Sequence, residues 1–234
     1  MCITEVVNID IANNNLWEAF EIGGTKIYIT ESIFATWIVM AVLIGLALLV
    51  RFKLKSFKAV PMGFQNIVEI AVDAMNNLVK STMGDKMQFL GGYFFAIFAF
   101  IIVSNYSGMF GLRPPTSDIA TTLPLGLSTF ILIHYAGIKM QPKKYFKEYL
   151  QPIPVFLPMN IIGELSRPIS LSFRLFGNIL GGLILMQIIY SMLPTVLTFI
   201  IPSVLHAWFD LFVGALQAFV FTVLSLTFIS LKAD

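Results

Sequence analysis

The sequence predicts an all-α, polytopic membrane protein with five transmembrane helices and one amphipathic helix on the cytoplasmic surface. Hydrophobic residues make up 57% of the 234 residues, charged residues only 12%, and the mean hydropathy is +0.84. Soluble domains carry about 25% charged residues, so an ordinary globular protein is excluded. Uncharged runs approach the ~20 residues that span a hydrocarbon core. The net charge of +2 and the lack of a basic, aromatic patch in the sequence argue against nucleic acid as a partner.

Motifs of soluble-enzyme chemistry are missing from the sequence. Cys2 is the single cysteine, so an internal disulfide framework is excluded. The sequence contains no recognisable cluster of metal ligands, glycine-rich phosphate loop or nucleophile–base pair. We therefore predict no catalytic residues, no cofactor and no metal. We expect a single membrane domain over residues 1–234.

The first transmembrane span is predicted at residues 33–50. Residues 1–32 are polar and acidic and lack the basic start and early apolar core of a signal peptide, which predicts an outer N-terminal segment. The span ends at a basic cluster, and such a cluster marks the cytoplasmic side. The cluster consists of Arg51, Lys53, Lys55 and Lys58. The N-terminus is therefore expected outside.

Residues 61–80 form a predicted amphipathic helix that begins at Pro61. Polar residues such as Glu69 and Asp73 and apolar residues such as Ile67 both repeat with the helical period. A helix of this kind lies along the cytoplasmic membrane surface or against a partner. Packing of its apolar face on the chain's own bundle is an equally open interpretation.

Two further spans are predicted at residues 89–112 and 119–138, joined by a turn-rich loop at residues 113–118. A second basic cluster follows the third span and again marks the cytoplasmic side. Its members are Lys139, Lys143, Lys144 and Lys147. The third span contains His134, and a lone histidine there is more typical of a hydrogen-bonded interior residue than of a proton relay.

The last two spans, at residues 153–193 and 203–231, are predicted to form a long tilted hairpin. Pro194 and Pro202 bracket the short, uncharged outer connection between them. Pro168 removes a backbone donor, so we expect it to break or kink the first of the two helices. Five spans place the N-terminus outside and the C-terminus in the cytoplasm, in agreement with both basic clusters.

One arginine lies inside the fourth span. Arg174 is followed by an uncharged run to the end of that span, and an arginine at such a depth costs at least ~2.5–3.5 kcal/mol on insertion scales. Ser170, Arg174 and Asn178 are spaced i, i+4, i+8 and form one polar stripe. Gly177 and Gly181 lie beside it and allow another helix to approach. The guanidinium therefore faces a protein partner or a water-filled cavity, or it pairs with an internal acid.

The last span carries a second polar strip. Asp210 is its only acid before the cytoplasmic tail, with His206 four residues earlier and Gln217 seven residues later. The strip is expected to descend from the outer surface, so that Gln217 meets the arginine near the middle of the membrane. A satisfied hydrogen-bond network between packed helices is the alternative. At the cytoplasmic interface, Glu164 either forms a local ion pair with Arg167 or lines a polar path toward the arginine.

The motif Ser170-x-x-x-Arg174-Leu-Phe-Gly-Asn178, followed by Leu-Gln217-Ala-Phe, closely resembles the signature of subunit a of bacterial F-type ATP synthases. The resemblance covers most of the chain. It also includes Asn105, the loop at residues 113–118, Lys139 and the proline-rich entry to the fourth span that ends at Pro158.

The resemblance implies a stator subunit that faces a rotating ring of c subunits, each with one carboxylate at mid-membrane, and that joins peripheral-stalk b subunits. It implies two offset half-channels that carry H⁺ or Na⁺ to and from the ring, in the lipid of a bacterial cytoplasmic membrane. The arginine of the family maps onto Arg174, with Gln217 opposite and Asn178 and Ser170 beside it. The small residues Gly177 and Gly181 are expected to face the ring.

Two positions depart from the family pattern. Many relatives carry a glutamate where this chain has Leu183, and a histidine where it has Asp210. Asp210 is therefore expected to act as the outer half-channel acid, with His206 beside it and Glu164 on the cytoplasmic side. A self-contained channel or secondary transporter is an alternative, although the inverted repeats of transporters are not found in the sequence. A purely structural scaffold is a third interpretation.

Overall fold

The computed structural model describes residues 15–22, 25–57, 60–149, 153–192 and 201–233. The predicted features at Cys2, Lys58 and Pro194 lie outside these residues. Among the described residues, five helices are long and apolar enough to cross a membrane. These five are Glu31–Ser56, Met87–Phe110, Ile119–Met140, Leu157–Met192 and Ile201–Ala233. The prediction of an all-α protein with five spans is confirmed.

Individual α-helices have the following bounds. They are α1 (Glu31–Lys53), α2 (Phe64–Met83), α3 (Gly91–Tyr106), α4 (Ile119–Met140), α5 (Pro142–Tyr149), α6 (Leu157–Met192), α7 (Ile201–His206) and α8 (Gly214–Ala233). A π-helical segment, Ala207–Val213, joins α7 to α8. We call the end of the bundle where α6 stops and α7 begins the hairpin end. The opposite end, where α1, α4 and α8 each have a lysine in their last turn, is the basic end.

A small antiparallel hairpin precedes α1. Strand β1 (Asn15–Ile22) pairs with β2 (Thr25–Thr30), and Glu21 lies opposite Lys26. The sequence prediction assigned no regular structure to this polar segment. A glycine pair between two runs of β-prone residues is the signal in the sequence that could have predicted the hairpin.

The amphipathic helix packs partly on its own bundle. In its C-terminal half, Met75, Val79 and Met83 are buried in a core that α3, α4 and α8 complete. Ser230 Oγ on α8 also donates a hydrogen bond to Thr82 O at 2.8 Å. The N-terminal half exposes Ile67 and other apolar residues. The interpretation that the helix packs on the bundle therefore describes its second half.

The centre of the bundle is α8. Its residues Phe221 and Leu226 are fully buried against α3, α4 and α6. Close approach of α4 to α6 depends on Gly126, because an added Cβ there would meet Ser172 Oγ and would lie 2.6 Å from Pro168 O. These contacts keep α6 and α8 side by side, as the predicted hairpin requires.

Helix α6 runs through Pro168 as one element of 36 residues, so the expected break is wrong. Pro168 is buried under α4, and Ser172 Oγ donates to Pro168 O at 2.8 Å. Tertiary packing on this turn holds the helix together although proline removes one backbone donor. His134 on α4 lies with its Nδ1 3.0 Å from Phe130 O, which favours the interpretation as a hydrogen-bonded interior residue.

Candidate functional site

One face of α6 is open and carries the predicted polar stripe. Its residues Ser170, Arg174, Gly177, Asn178 and Gly181 are all exposed, and we call them the arginine stripe. The opposite face of the helix is buried against α3 and α8. A Cβ atom added to Gly177 or Gly181 would meet none of the described residues within 4 Å, apart from the backbone of its own helix and its chain neighbours. The stripe is therefore a smooth surface that faces away from the bundle.

Arg174 has no hydrogen-bond or ion-pair partner in the part of the chain that the structure describes. Both acids of the last two spans are occupied elsewhere, since Asp210 contacts His206 and Glu164 contacts Lys232. The alternative in which an internal acid neutralises the arginine therefore finds no support among the described residues. An unpaired guanidinium on an open helix face suits a partner from another chain.

A side-chain amide pair links the stripe to the buried side of the bundle. Asn178 Nδ2 donates to Gln217 Oε1 at 2.6 Å, and Gln217 is only 2% exposed. The expected meeting of Gln217 with Arg174 is not seen as a hydrogen bond between the described residues. Instead, the glutamine reaches the stripe one helical turn closer to the hairpin end. Its Nε2 has no hydrogen-bond partner among the described residues, which leaves one buried donor available to a water molecule.

A three-residue polar chain lies at the hairpin end. His206 Nδ1 is 2.7 Å from Asp210 Oδ2, and His206 Nε2 is 3.1 Å from Tyr190 Oη on α6. The predicted neighbours His206 and Asp210 are therefore in contact. Tyr190 was not predicted, because a tyrosine near the end of an apolar helix is also common as an interfacial residue.

The π-helical segment presents Asp210 on the last helix. At its end, Asn105 Nδ2 on α3 donates to Gly214 O at 2.9 Å, and Thr116 Oγ1 donates to Asn105 Oδ1 at 2.6 Å. A Cβ on Gly214 would lie only 3.0 Å from Asn105 Cβ, so glycine permits this contact. Segments of π-helix are frequent at functional sites. Because the turn is wider here, Asp210 points in a different direction relative to the residues of α8 than it would on a continuous α-helix.

Two cavities lie between this chain of polar groups and the arginine stripe, and Leu183 and Asp210 line both. The larger, about 350 Å³, opens at the hairpin end, and Glu31, Arg113, Gln187, His206 and Asp210 are among its lining residues. The smaller, about 10 Å³, is lined by Asn105, Asn178, Gly182 and Asp210 together with apolar neighbours. That volume is close to the minimum that holds one water molecule. Asp210 therefore lines both cavities, and Asn178 of the arginine stripe lines the smaller one.

Glu164 lies at the basic end and is held by two cations. Its Oε2 is 3.0 Å from Arg167 Nη1, and its Oε1 is 2.6 Å from Lys232 Nζ on α8. The side chains of Glu164 and Lys232 are only 7% and 4% exposed. The rings of Tyr145 and Tyr149 on α5 lie 6.0 and 5.2 Å from the lysine nitrogen. The structure thus contains the expected local pair and adds a distant lysine that spacing did not indicate.

Comparison with known protein families completes these observations. A family model described as "ATP synthase A chain" matches residues 33–230. The matched region begins within α1 and ends within α8. It contains the arginine stripe, the amide pair, Asp210 with its neighbours, and Glu164.

Proposed function

Because the chain belongs to the ATP synthase A chain family, we propose that the arginine stripe faces a rotating ring of c subunits and that two offset half-channels meet there. As a member of that family the chain is subunit a, an ion-translocating component of the membrane sector. It is a multi-pass membrane protein that associates with the rest of that sector. The transported ion in this proposal is H⁺ or Na⁺.

The single observation that supports the proposal most is the environment of Arg174. The side chain is exposed, has no partner among the described residues, and sits on a face kept smooth by Gly177 and Gly181. A ring of helices that turns past this face needs clearance, which glycine provides. A carboxylate on each passing helix would then supply the missing counter-ion.

An arginine suits this position better than a lysine. Its guanidinium stays charged at any accessible pH, whereas a buried lysine loses its proton readily. The positive charge favours the ionised form of a ring carboxylate and therefore ion release. It also repels a cation that would pass directly between the half-channels. Such a leak would waste ~2.3 kcal/mol per charge for each 100 mV of membrane potential.

We place the outer half-channel at the hairpin end. The ion enters the larger cavity, passes His206 and Asp210, and reaches Asn178 and Gln217 through the smaller cavity. Ser170 flanks the arginine on the other side, toward the basic end, where the second half-channel would open. Glu164 suits this path least, because both of its oxygens are held by cations.

The orientation and the remaining partners are part of the same proposal. Lysines at the ends of α1, α4 and α8 put the basic end in the cytoplasm by the positive-inside rule. The N-terminus is then outside, in the cytoplasmic membrane of a bacterium. Exposed apolar residues in the first half of α2, among them Ile67, are a surface for the peripheral-stalk b subunits or for lipid.

ATP-driven ion pumping by the reconstituted complex tests the proposal. Arg174→Ala should abolish coupled pumping while the complex still assembles, and the exposed Lys143→Ala on α5 should leave pumping unchanged. Repeating the assay with and without sodium identifies the ion. Undiminished pumping by the assembled Arg174→Ala complex would contradict the proposed role. Ion conduction by the subunit without a ring would indicate a self-contained channel instead.

A further inference from the structure

Three segments of the chain meet at one buried asparagine on α3. Asn105 is only 1% exposed, and its side chain uses both ends of its amide. Its Nδ2 donates to Gly214 O, where the π-helical segment ends, and its Oδ1 accepts from Thr116 in the turn Pro115–Ser117. Because a carbonyl can only accept and the buried Thr116 hydroxyl donates, the orientation of the amide is fixed by both partners.

The asparagine bonds to the residue at which the π-helical pattern stops. Gly214 N donates to Phe209 O, which is the i→i−5 bond of a π-helix. The carbonyl of the same residue accepts the hydrogen bond from Asn105. Such turns are rare in helices, so we expect one to persist where contacts from outside the helix favour it. Asn105 supplies such a contact from α3.

The π-helical segment sets the direction in which Asp210 points. On a continuous α-helix, Asp210 and Gln217 would share a face, because they are seven residues apart. The i→i+5 pattern puts one more residue into a turn, which rotates Asp210 by about 100° relative to α8. In the structure Asp210 lines both cavities at the hairpin end. It also reaches the end of α3, where a Cβ on Gly108 would lie 3.5 Å from Asp210 Oδ2.

We propose that Asn105 is a positioning residue for ion translocation, because it maintains the π-helical turn that directs Asp210 into the two cavities. The inference rests on the proposed function, in which Asp210 is the acid of the outer half-channel. A direct contact with a water molecule is the competing role, since Asn105 itself lines the smaller cavity. Thr116 separates the two roles, because it bonds to Asn105 but is not among the residues that line either cavity.

Disulfide cross-linking in the assembled complex measures the direction of Asp210. In a Cys2→Ser background, the pair Gly108→Cys/Asp210→Cys should cross-link on oxidation, because the two positions are in contact. Asn105→Ala should lower the cross-linked fraction by at least about fivefold, since a rotation of about 100° moves position 210 away from Gly108. Mass spectrometry of the linked peptides gives the fraction.

A second cysteine pair on the same helix is the matched control. Thr129 Oγ1 on α4 and Ser225 Oγ on α8 lie 3.2 Å apart, so Thr129→Cys/Ser225→Cys should cross-link equally with and without Asn105→Ala. Two milder variants act on the orientation of the amide alone. Thr116→Val removes the hydroxyl that Asn105 accepts from and should lower the 108–210 cross-link, whereas Thr116→Ser keeps the hydroxyl and should preserve it.

A deletion of one residue tests the π-helical turn itself. Asn105→Ala should abolish coupled, ATP-driven ion pumping in the assembled complex. Deleting the exposed Leu211 from the Asn105→Ala chain removes the extra residue of the turn, so a continuous α-helix then presents Asp210 in its original direction. Pumping and the 108–210 cross-link should therefore both return. A side chain that contacts the ion or a water directly would not be replaced by such a deletion.

Two results would overturn the proposal. These are an unchanged 108–210 cross-link in Asn105→Ala, and a failure of the Leu211 deletion to restore pumping. The experiments also separate this inference from the function on which it rests. If Asp210→Asn abolishes pumping while Asn105→Ala leaves the cross-link unchanged, the proposed function stands and this inference fails. If the cross-link falls but both variants pump normally, the proposed role of Asp210 fails, and the role of Asn105 in translocation fails with it.

Discussion

Replacing Lys232 by methionine should destabilise the protein by about 2–3 kcal/mol. Removing one partner from a buried ion pair costs about 3–5 kcal/mol, because the other charge is left without compensation. Lys232 and Glu164 are such a pair, at 2.6 Å and with both side chains nearly inaccessible. Arg167 still contacts Glu164 after the substitution, but its side chain is 29% exposed, so it compensates only part of the loss.

Equilibrium unfolding in mixed detergent micelles measures this effect. The double variant Glu164→Gln/Lys232→Met should regain at least about 1 kcal/mol over Lys232→Met, because no buried charge remains unpaired. The charge swap Glu164→Lys/Lys232→Glu should not recover stability, since Arg167 would then face a cation. The exposed Lys147→Met on α5 is the matched control, with a change within about 0.5 kcal/mol. A loss below about 0.5 kcal/mol for Lys232→Met would refute the reasoning, because an exposed pair behaves that way.

Three further substitutions examine the hairpin end and the helix contacts. Asp210→Asn should abolish ion-driven ATP synthesis in an assembled complex, because Asp210 is the only acid of the last span and lines both cavities near the hairpin end. Intact synthesis would exclude Asp210 as the outer half-channel acid. Asn105→Ala should cost about 1–3 kcal/mol of unfolding free energy, since the buried Thr116 hydroxyl and Gly214 carbonyl each lose a partner; an unchanged melting temperature would contradict it. Gly126→Ala should cost about 1–3 kcal/mol through overpacking, measured in the same unfolding assay, with the exposed Gly92→Ala as a control that meets open space.

The fold class could be predicted from the sequence because its signals are local. Uncharged runs and the basic residues that follow them each depend on neighbours along the chain, and all five predicted spans are present in the structure. The same holds for the arginine stripe, since the spacing of Ser170, Arg174 and Asn178 places them on one face of any α-helix. The resemblance to subunit a is likewise confirmed by the family match.

Partners across helices could not be predicted in this way. The polar strip of the last span was expected to bring Gln217 to Arg174, but the structure pairs the glutamine with Asn178, one helical turn closer to the hairpin end. Position along the chain does not show which residue of a neighbouring helix lies at the same depth, and the π-helical segment before α8 also changes the phase of the residues that follow it. The hydrogen bond that Asn105 donates to Gly214 O at the end of that segment comes from another helix, so spacing along the chain does not indicate it.

By itself, then, the sequence determined that this chain crosses a membrane five times and carries one costly arginine on a glycine-lined stripe. Hydrophobic runs, basic flanks and helical spacing are sufficient for that, because each acts within a few turns. Only the tertiary structure decided that Arg174 is left without a partner among the described residues while Glu164 gains Lys232. Such pairings depend on which helices lie side by side, and packing across the whole bundle selects them.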